Sequence, residues 1–296
     1  MKAIVFGGSG FIGSQVADHL TEAGYDVTIF DLNSSPYLLP GQEIIIGDIL
    51  DKKAVFDAVK SCDYVYNFAG MADLDAATTE PLRTIEQNIM GTAILLEGAR
   101  RSGAKRFIQA STIYVYSDTG GFYRCSKQAA ELYVEEYNRK FGLEYTILRY
   151  GTVYGPRADS RNSIYRYLKQ AFDDGRIDCG GTGDETREYI HVRDAARLSE
   201  DILADEYRNK QVIITGHHPT RLKDMLYTIR EILGNRIEIR FEASETDTPH
   251  YNITPYSFVP KIGRKLTTPE YIDMGQGLLE CISEIYDQDL SRKRKE

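Results

Sequence analysis

Lys2-Ala3-Ile4-Val5-Phe6-Gly7-Gly8-Ser9-Gly10-Phe11-Ile12-Gly13 decides the fold. A short apolar run ends in glycines, and a helical pattern begins at once: Ile12, Val16, Leu20 and Ala23 recur at helical spacing and Gly24 offers a stop. In a strand, glycine turn and helix so joined, backbone N–H groups can approach a pyrophosphate and the helix N-terminus adds positive potential. Eighteen residues after Gly13, behind the second run Val27-Thr28-Ile29-Phe30, stands Asp31. A carboxylate there accepts hydrogen bonds from a ribose 2′-OH and repels a 2′-phosphate, which favours NAD over NADP. Gly47-Asp48-Ile49 follows the third run, Ile44 to Ile46, where a carboxylate can reach an adenine amino group.

The same alternation continues outward from this unit. Tyr64 to Tyr66, Phe107-Ile108 and Tyr145 to Leu148 read as further strands, with helices through 54–59, 82–100 and 128–139 between them. The pattern predicts an α/β fold, a doubly wound parallel sheet of the Rossmann type with right-handed crossovers. After Tyr150 glycines crowd the chain, a strand at 212–215 and a helix at 222–233 follow, and Pro249, Pro255 and Pro260 interrupt a stretch with little periodicity. The expected division is a cofactor domain over 1–150, to which 186–216 returns, and a smaller C-terminal substrate-binding lobe from 151–185 and 217–296.

Composition narrows the partners. The 296 residues suit one large or two modest domains. With 36 Lys and Arg against 44 Asp and Glu the formal charge is −8, which argues against a polynucleotide partner. Cys62, Cys125, Cys179 and Cys281 form no CxxC pair, and His19, His191, His217, His218 and His250 show no ligand spacing, so no metal site is expected. Neither a leader peptide nor a membrane span is legible, and the expectation is a cytoplasmic protein with a solvated tail at 291–296.

A second constellation is Tyr123-Arg124-Cys125-Ser126-Lys127. Tyr123 and Lys127 are four apart and share a helical face. An adjacent ammonium favours phenolate, so the tyrosine is expected to have its pKa drawn toward the working range of a base. Ser111 and Thr112, after the fifth strand, offer hydroxyls to the same substrate oxygen.

These elements in this order resemble the extended short-chain dehydrogenase/reductase family, in its NAD-dependent nucleotide-sugar epimerase/dehydratase branch. The resemblance also rests on Asn67-Phe68-Ala69-Gly70, Asn88-Ile89-Met90-Gly91-Thr92, Leu148 to Arg157 and Arg187 to Asp194. It implies Thr112, Tyr123 and Lys127 as the catalytic set. It implies NAD held at Gly7, Gly10, Phe11, Ile12, Gly13, Asp31, Asp48, Ile49, Ala69, Asn88, Tyr123 and Lys127. Arg187 is implied at the substrate diphosphate, a role that suits its fork of donors. Arg157 is a candidate for the same work or a loop arginine bracing a neighbouring carboxylate. Asp73 either orders a sugar hydroxyl or is a solvated loop acid. A homodimer through the helices near 82–100 and 123–140 is implied as well.

Departures from the family pattern bear on the reaction. Dehydratases and decarboxylases of the family carry an acid where this chain has Tyr114, so epimerisation, most plausibly at C4 of a nucleoside-diphosphate hexose through a transient keto-sugar, is the expected chemistry. Dehydratase, decarboxylase and keto-sugar reductase are the alternatives. Only ten residues separate Thr112 from Tyr123, fewer than in most relatives, and Thr152 stands where an asparagine is common.

Overall fold

The computed structural model describes residues 1–117, 119–242, 263–268 and 270–293. Elements follow in the order β1 (Lys2–Phe6), α1 (Phe11–Glu22), β2 (Asp26–Asp31), β3 (Glu43–Ile46), α2 (Lys52–Ala58), β4 (Tyr64–Asn67), α3 (Leu74–Thr79), α4 (Pro81–Ile85), α5 (Gly91–Ser102), β5 (Arg106–Thr112), α6 (Gly121–Phe141) and β6 (Tyr145–Tyr150). Then come β7 (Thr152–Tyr154), α7 (Ser163–Asp174), β8 (Arg176–Gly180), β9 (Thr186–His191), α8 (Val192–Asp201), β10 (Lys210–Ile214), β11 (Pro219–Arg221), α9 (Leu222–Ile232), β12 (Glu238–Glu242), β13 (Arg264–Leu266) and α10 (Met274–Lys293). The chain divides into two compact units.

The first unit, described at 1–150, 195–214 and 263–266, is built on an eight-stranded sheet in the order β13-β10-β6-β5-β4-β1-β2-β3. All its pairings are parallel. The order reverses between β1 and β4, which opens a crevice beyond their C-terminal ends. Central strands are apolar because helices cover both faces. Ile4, Phe6, Val65, Phe107 and Ile147 share one core with Val55, Val59, Leu95 and Leu96 of the flanking helices. The edge strand β3 leaves Ile46 exposed.

Helix α6 (Gly121–Phe141) is ended by the left-handed cap Gly142, and Arg139 and Lys140 complement its last turn. The helix expected over 82–100 is instead α4, a π turn at Glu86–Met90, and α5. A π turn widens the helix by one residue. Here it carries Asn88, whose Oδ1 accepts from the Met71 N–H at 2.7 Å and whose Nδ2 donates to the Met71 carbonyl at 2.9 Å and to Ser126 Oγ at 2.8 Å. One buried amide thus ties the loop after β4 to the second turn of α6.

The second unit, described at 151–194, 215–242, 267–268 and 270–293, has a three-stranded sheet, β11-β9-β7, and a parallel pair, β12-β8. Ile164 and Leu168 of α7, Met225, Leu226 and Ile229 of α9, and Leu278 and Ile285 of α10 bury its core. Two boundaries differ from the sequence expectation. Residues 186–194 do not return to the first unit, because β9 pairs with β7 and β11 and Thr215 Oγ1 donates to the Glu188 carbonyl at 3.0 Å. Conversely, β13 leaves the lobe expected for it and pairs with β10 of the large sheet. His250, the prolines at 249, 255 and 260, and residues 294–296 of the tail lie outside the described residues. Among the described ones no helix is long and apolar enough to cross a membrane, and no cluster of three His, Cys, Asp or Glu could hold a metal ion.

Candidate active site

The glycine turn is folded by contacts that no side chain could share. Gly7 takes φ +76°, its N–H donates to the Phe30 carbonyl at 2.9 Å, and its carbonyl accepts from Gly10 at 3.1 Å. A Cβ on Gly7 would lie 2.6 Å from the Ala69 nitrogen, and one on Gly13 would lie 2.3 Å from the Gly7 carbonyl oxygen. Glycines here let β1, the loop after β4 and α1 approach one another closely. Helix α1 starts at Gly10 without a side-chain cap and without an acid in its first turn. Its first N–H groups are therefore left for an anion.

Asp31 closes the same turn. Its Oδ2 accepts from the Ser9 N–H and its Oδ1 from the Asn33 N–H, each at 3.0 Å, so the carboxylate is aimed before any ribose arrives. Asp48 is fixed through Oδ1 to the Leu50 N–H at 2.9 Å, and Ile49 beside it is buried. Turn, carboxylates and Ala69 are brought together in the first unit and fit a dinucleotide. Gly13→Ala tests that fit. Its Cβ would strike backbone, so the turn must open, and overpacking of this kind costs about 1–3 kcal/mol. Calorimetric titration with NAD is expected to show binding weakened about tenfold or more.

The catalytic candidates meet at the end of β5. Tyr123 is half-buried and hydrogen-bonded to Thr112, whose Oγ1 also accepts from the Tyr114 N–H at 3.2 Å. The Lys127 Nζ lies 5.7 Å from the Tyr123 ring centroid and donates to the Ala110 carbonyl at 3.1 Å. Tyr114 stands edge-on to Tyr123, with ring centroids 6.3 Å apart. Its ring also rests on Gly120, at φ +94°, where a Cβ would come within 2.8 Å. The short segment before Tyr123 is thus packed against the residue that replaces the family's acid.

Electrostatics correct one sequence expectation. Burial, and then Tyr114, push the Tyr123 phenol well above its ordinary value, and only the hydrogen bond from Thr112 works the other way. Desolvation disfavours the phenolate. Burial also lowers Lys127 to about 8, against a pull upward from Glu131.

The substrate candidates differ in what holds them. Asp73 caps α3, its Oδ1 accepting from the Ala76 N–H at 2.8 Å, so it is a tethered carboxylate. In the second unit Thr152 begins β7, paired in register with Tyr189 of β9. Arg187 lies on β9 with a buried Nε that has no hydrogen-bond partner among the described residues. Arg157 takes φ +71°, and its backbone N–H donates to both carboxylate oxygens of Glu284, at 3.1 and 2.8 Å. A carboxylate therefore braces this loop through its backbone. Sequence reading missed Glu131 and Arg149, which form a buried pair beneath Lys127. The available signals were the four-residue step from Lys127 and an arginine inside the apolar run Thr146-Ile147-Leu148-Arg149-Tyr150.

The profile of the NAD dependent epimerase/dehydratase family matches residues 3–214. The chain belongs to that family. Among curated relatives of this family member, a UDP-glucuronate 4-epimerase of Thermodesulfobacterium geofontis is 30% identical over 265 residues, covering 79% of this chain and 81% of the other. A dTDP-glucose 4,6-dehydratase of Streptomyces antibioticus is 28% identical over 242 residues, covering 73% and 72%. The solved UDP-glucose 4-epimerase of Thermotoga maritima, with UDP-glucose, superposes with a TM-score of 0.84 at 25% identity, covering 97% of this chain and 99% of that one. The family's cofactor is NAD, and the glycine turn, the uncapped α1 and Asp31 are the groups of this member that suit it.

Proposed function

We propose that this family member is a nucleotide-sugar epimerase that inverts C4 of a nucleoside-diphosphate hexose. One observation supports the reading: Tyr123 is hydrogen-bonded to Thr112 with the Lys127 Nζ 5.7 Å from its ring centroid, and the neighbour at the position of the family's elimination acid is a phenol, Tyr114. A tyrosine there offers no carboxylate to abstract a proton from carbon, so dehydration is disfavoured.

Bound NAD would supply a reversible hydride acceptor whose positive charge favours the Tyr123 phenolate. Tyr123 takes the proton from the sugar hydroxyl being oxidised and returns one when the centre is reduced again. Thr112 orients that oxygen through its hydroxyl. Lys127 holds the ammonium beside the phenol and keeps the exchange of its proton favourable. Arg187, with an unused buried donor, would take the diphosphate, and the Thr152 hydroxyl, the tethered Asp73 and Arg157 are the remaining substrate contacts proposed. Exposed Leu82, Ile85 and Met90, together with Leu132 and Tyr133 of α6, are the apolar surface a second copy would cover.

Purified protein incubated with UDP-, GDP-, CDP- and dTDP-hexoses, followed by NMR, tests the assignment. The expected result is a C4 epimer with no net change in nicotinamide absorbance. A steady absorbance change would indicate a reductase instead, and a 4-keto-6-deoxy product a dehydratase.

A further inference from the structure

Below the catalytic pair, three residues of one α6 face meet three consecutive residues of β5. Tyr123 bonds Thr112, the Lys127 Nζ donates to the Ala110 carbonyl, and Ser111 Oγ donates to Glu131 Oε1 at 2.6 Å. Glu131 is buried, as is Arg149, whose Nε and Nη2 donate to its two carboxylate oxygens at 3.0 and 2.6 Å. Arg149 Nη1 reaches the Tyr116 hydroxyl at 2.5 Å, and that hydroxyl accepts from the Gly263 N–H at 2.8 Å. The carboxylate is thus clamped from β5 and β6 at once, one helical turn from the lysine.

We propose that Glu131 is a positioning residue of the catalytic pair, its clamped carboxylate serving as the buried counter-charge that keeps the Lys127 ammonium charged and in place. A buried ammonium whose bond in the chain is to a carbonyl tends to lose its proton unless an anion stands close. Stability alone does not account for the pair, since apolar residues of similar volume in place of a buried ion pair are often as stable or more so. Glu131 is the charge that opposes burial at Lys127. The other titratable or charged groups around the cluster are Tyr123 and Glu135 on α6, Tyr114 and Tyr116 in the turn after β5, and Tyr145 and Arg149 on β6. Arg149 bonds Glu131 through Nε and Nη2 and the Tyr116 hydroxyl through Nη1. The inference rests on Lys127 acting with Tyr123, but it is read without turnover.

The test is titration of Lys127 in the full chain carrying ¹³Cε-lysine, with its resonance assigned by its loss in Lys127→Met. The parent is expected to titrate near pH 8. In Glu131→Gln, which keeps the shape and an acceptor for Ser111, the midpoint is expected to fall by about one pH unit or more. The turnover-against-pH profile should move the same way, with KM for the sugar nucleotide unchanged. Should the single variant fail to fold, Glu131→Gln combined with Arg149→Met removes both members of the buried pair so that Arg149 is not left unpaired, and its Lys127 midpoint is expected to fall as well. An unmoved midpoint in the folded variant overturns the proposal. That failure is distinct from failure of the catalytic reading, which would appear as normal turnover in Tyr123→Phe with the Lys127 titration intact.

Discussion

Tyr123→Phe is expected to lower turnover of the sugar nucleotide by about 10²–10⁴-fold, the range associated with a positioned acid-base group. The substitution removes one hydroxyl and keeps the ring. The edge-on contact with Tyr114 and the Lys127 ammonium beside the ring both survive it. Melting temperature and NAD affinity should therefore stay near those of the parent, and the loss should appear in kcat. What goes is the hydroxyl that is hydrogen-bonded to Thr112 and is proposed to exchange the proton with the sugar hydroxyl. Steady-state kinetics beside a calorimetric NAD titration separate the two effects. Activity within a few-fold of the parent would remove Tyr123 from the mechanism.

Phe107→Ala is expected to destabilise the first unit by about 3–5 kcal/mol. Phe107 is fully buried in β5, whose seven residues are all buried and which pairs with β4 on one side and β6 on the other. Its ring belongs to the core that joins these strands to α2 and α5. Truncation leaves a cavity that close-packed neighbours cannot fill, so both the transfer term and the cavity term are lost. The same strand carries Ala110, Ser111 and Thr112 to the proposed catalytic set, so a looser β5 should also cost turnover. Urea denaturation followed by circular dichroism reads the first effect as a lower midpoint. An unchanged midpoint would mean that β5 is not the centre of this core.

The elements legible in sequence are those whose pattern one physical cause dominates. Strands β1, β2, β4, β5 and β6 are buried on both faces and read as short apolar runs, and α1 shows a clean helical period before Gly24. The second unit was far less legible. Strands β7 and β11 have three residues each, and β9 mixes Thr, Arg and Glu with Tyr and Ile, so their pairing depends on partners distant in sequence. The π turn at Glu86–Met90 leaves no local signature, because it is maintained by Asn88 bonding to Met71 and Ser126.

Within the site, the glycine turn, Asp31 and the Tyr123–Lys127 step were legible because each is a local spacing with one geometric meaning. Direction and degree of charge were not. The sequence places an ammonium four residues from a phenol and argues for a lowered phenol pKa. Burial reverses that sign, and burial is a property of everything packed around the ring.

By itself, then, the sequence determined a parallel sheet, a glycine turn between β1 and α1, a cofactor preference and a candidate catalytic pair, all of which follow from short-range periodicity and spacing. Tertiary structure alone decided the return of β13 to the large sheet, the placement of 186–194 in the smaller unit, and the seating of Tyr114 between Tyr123 and Gly120. It also decided the clamping of Glu131 by Ser111 and Arg149. These depend on contacts between residues far apart in the chain and on how much water the fold excludes, and neither quantity is written in any local stretch of residues.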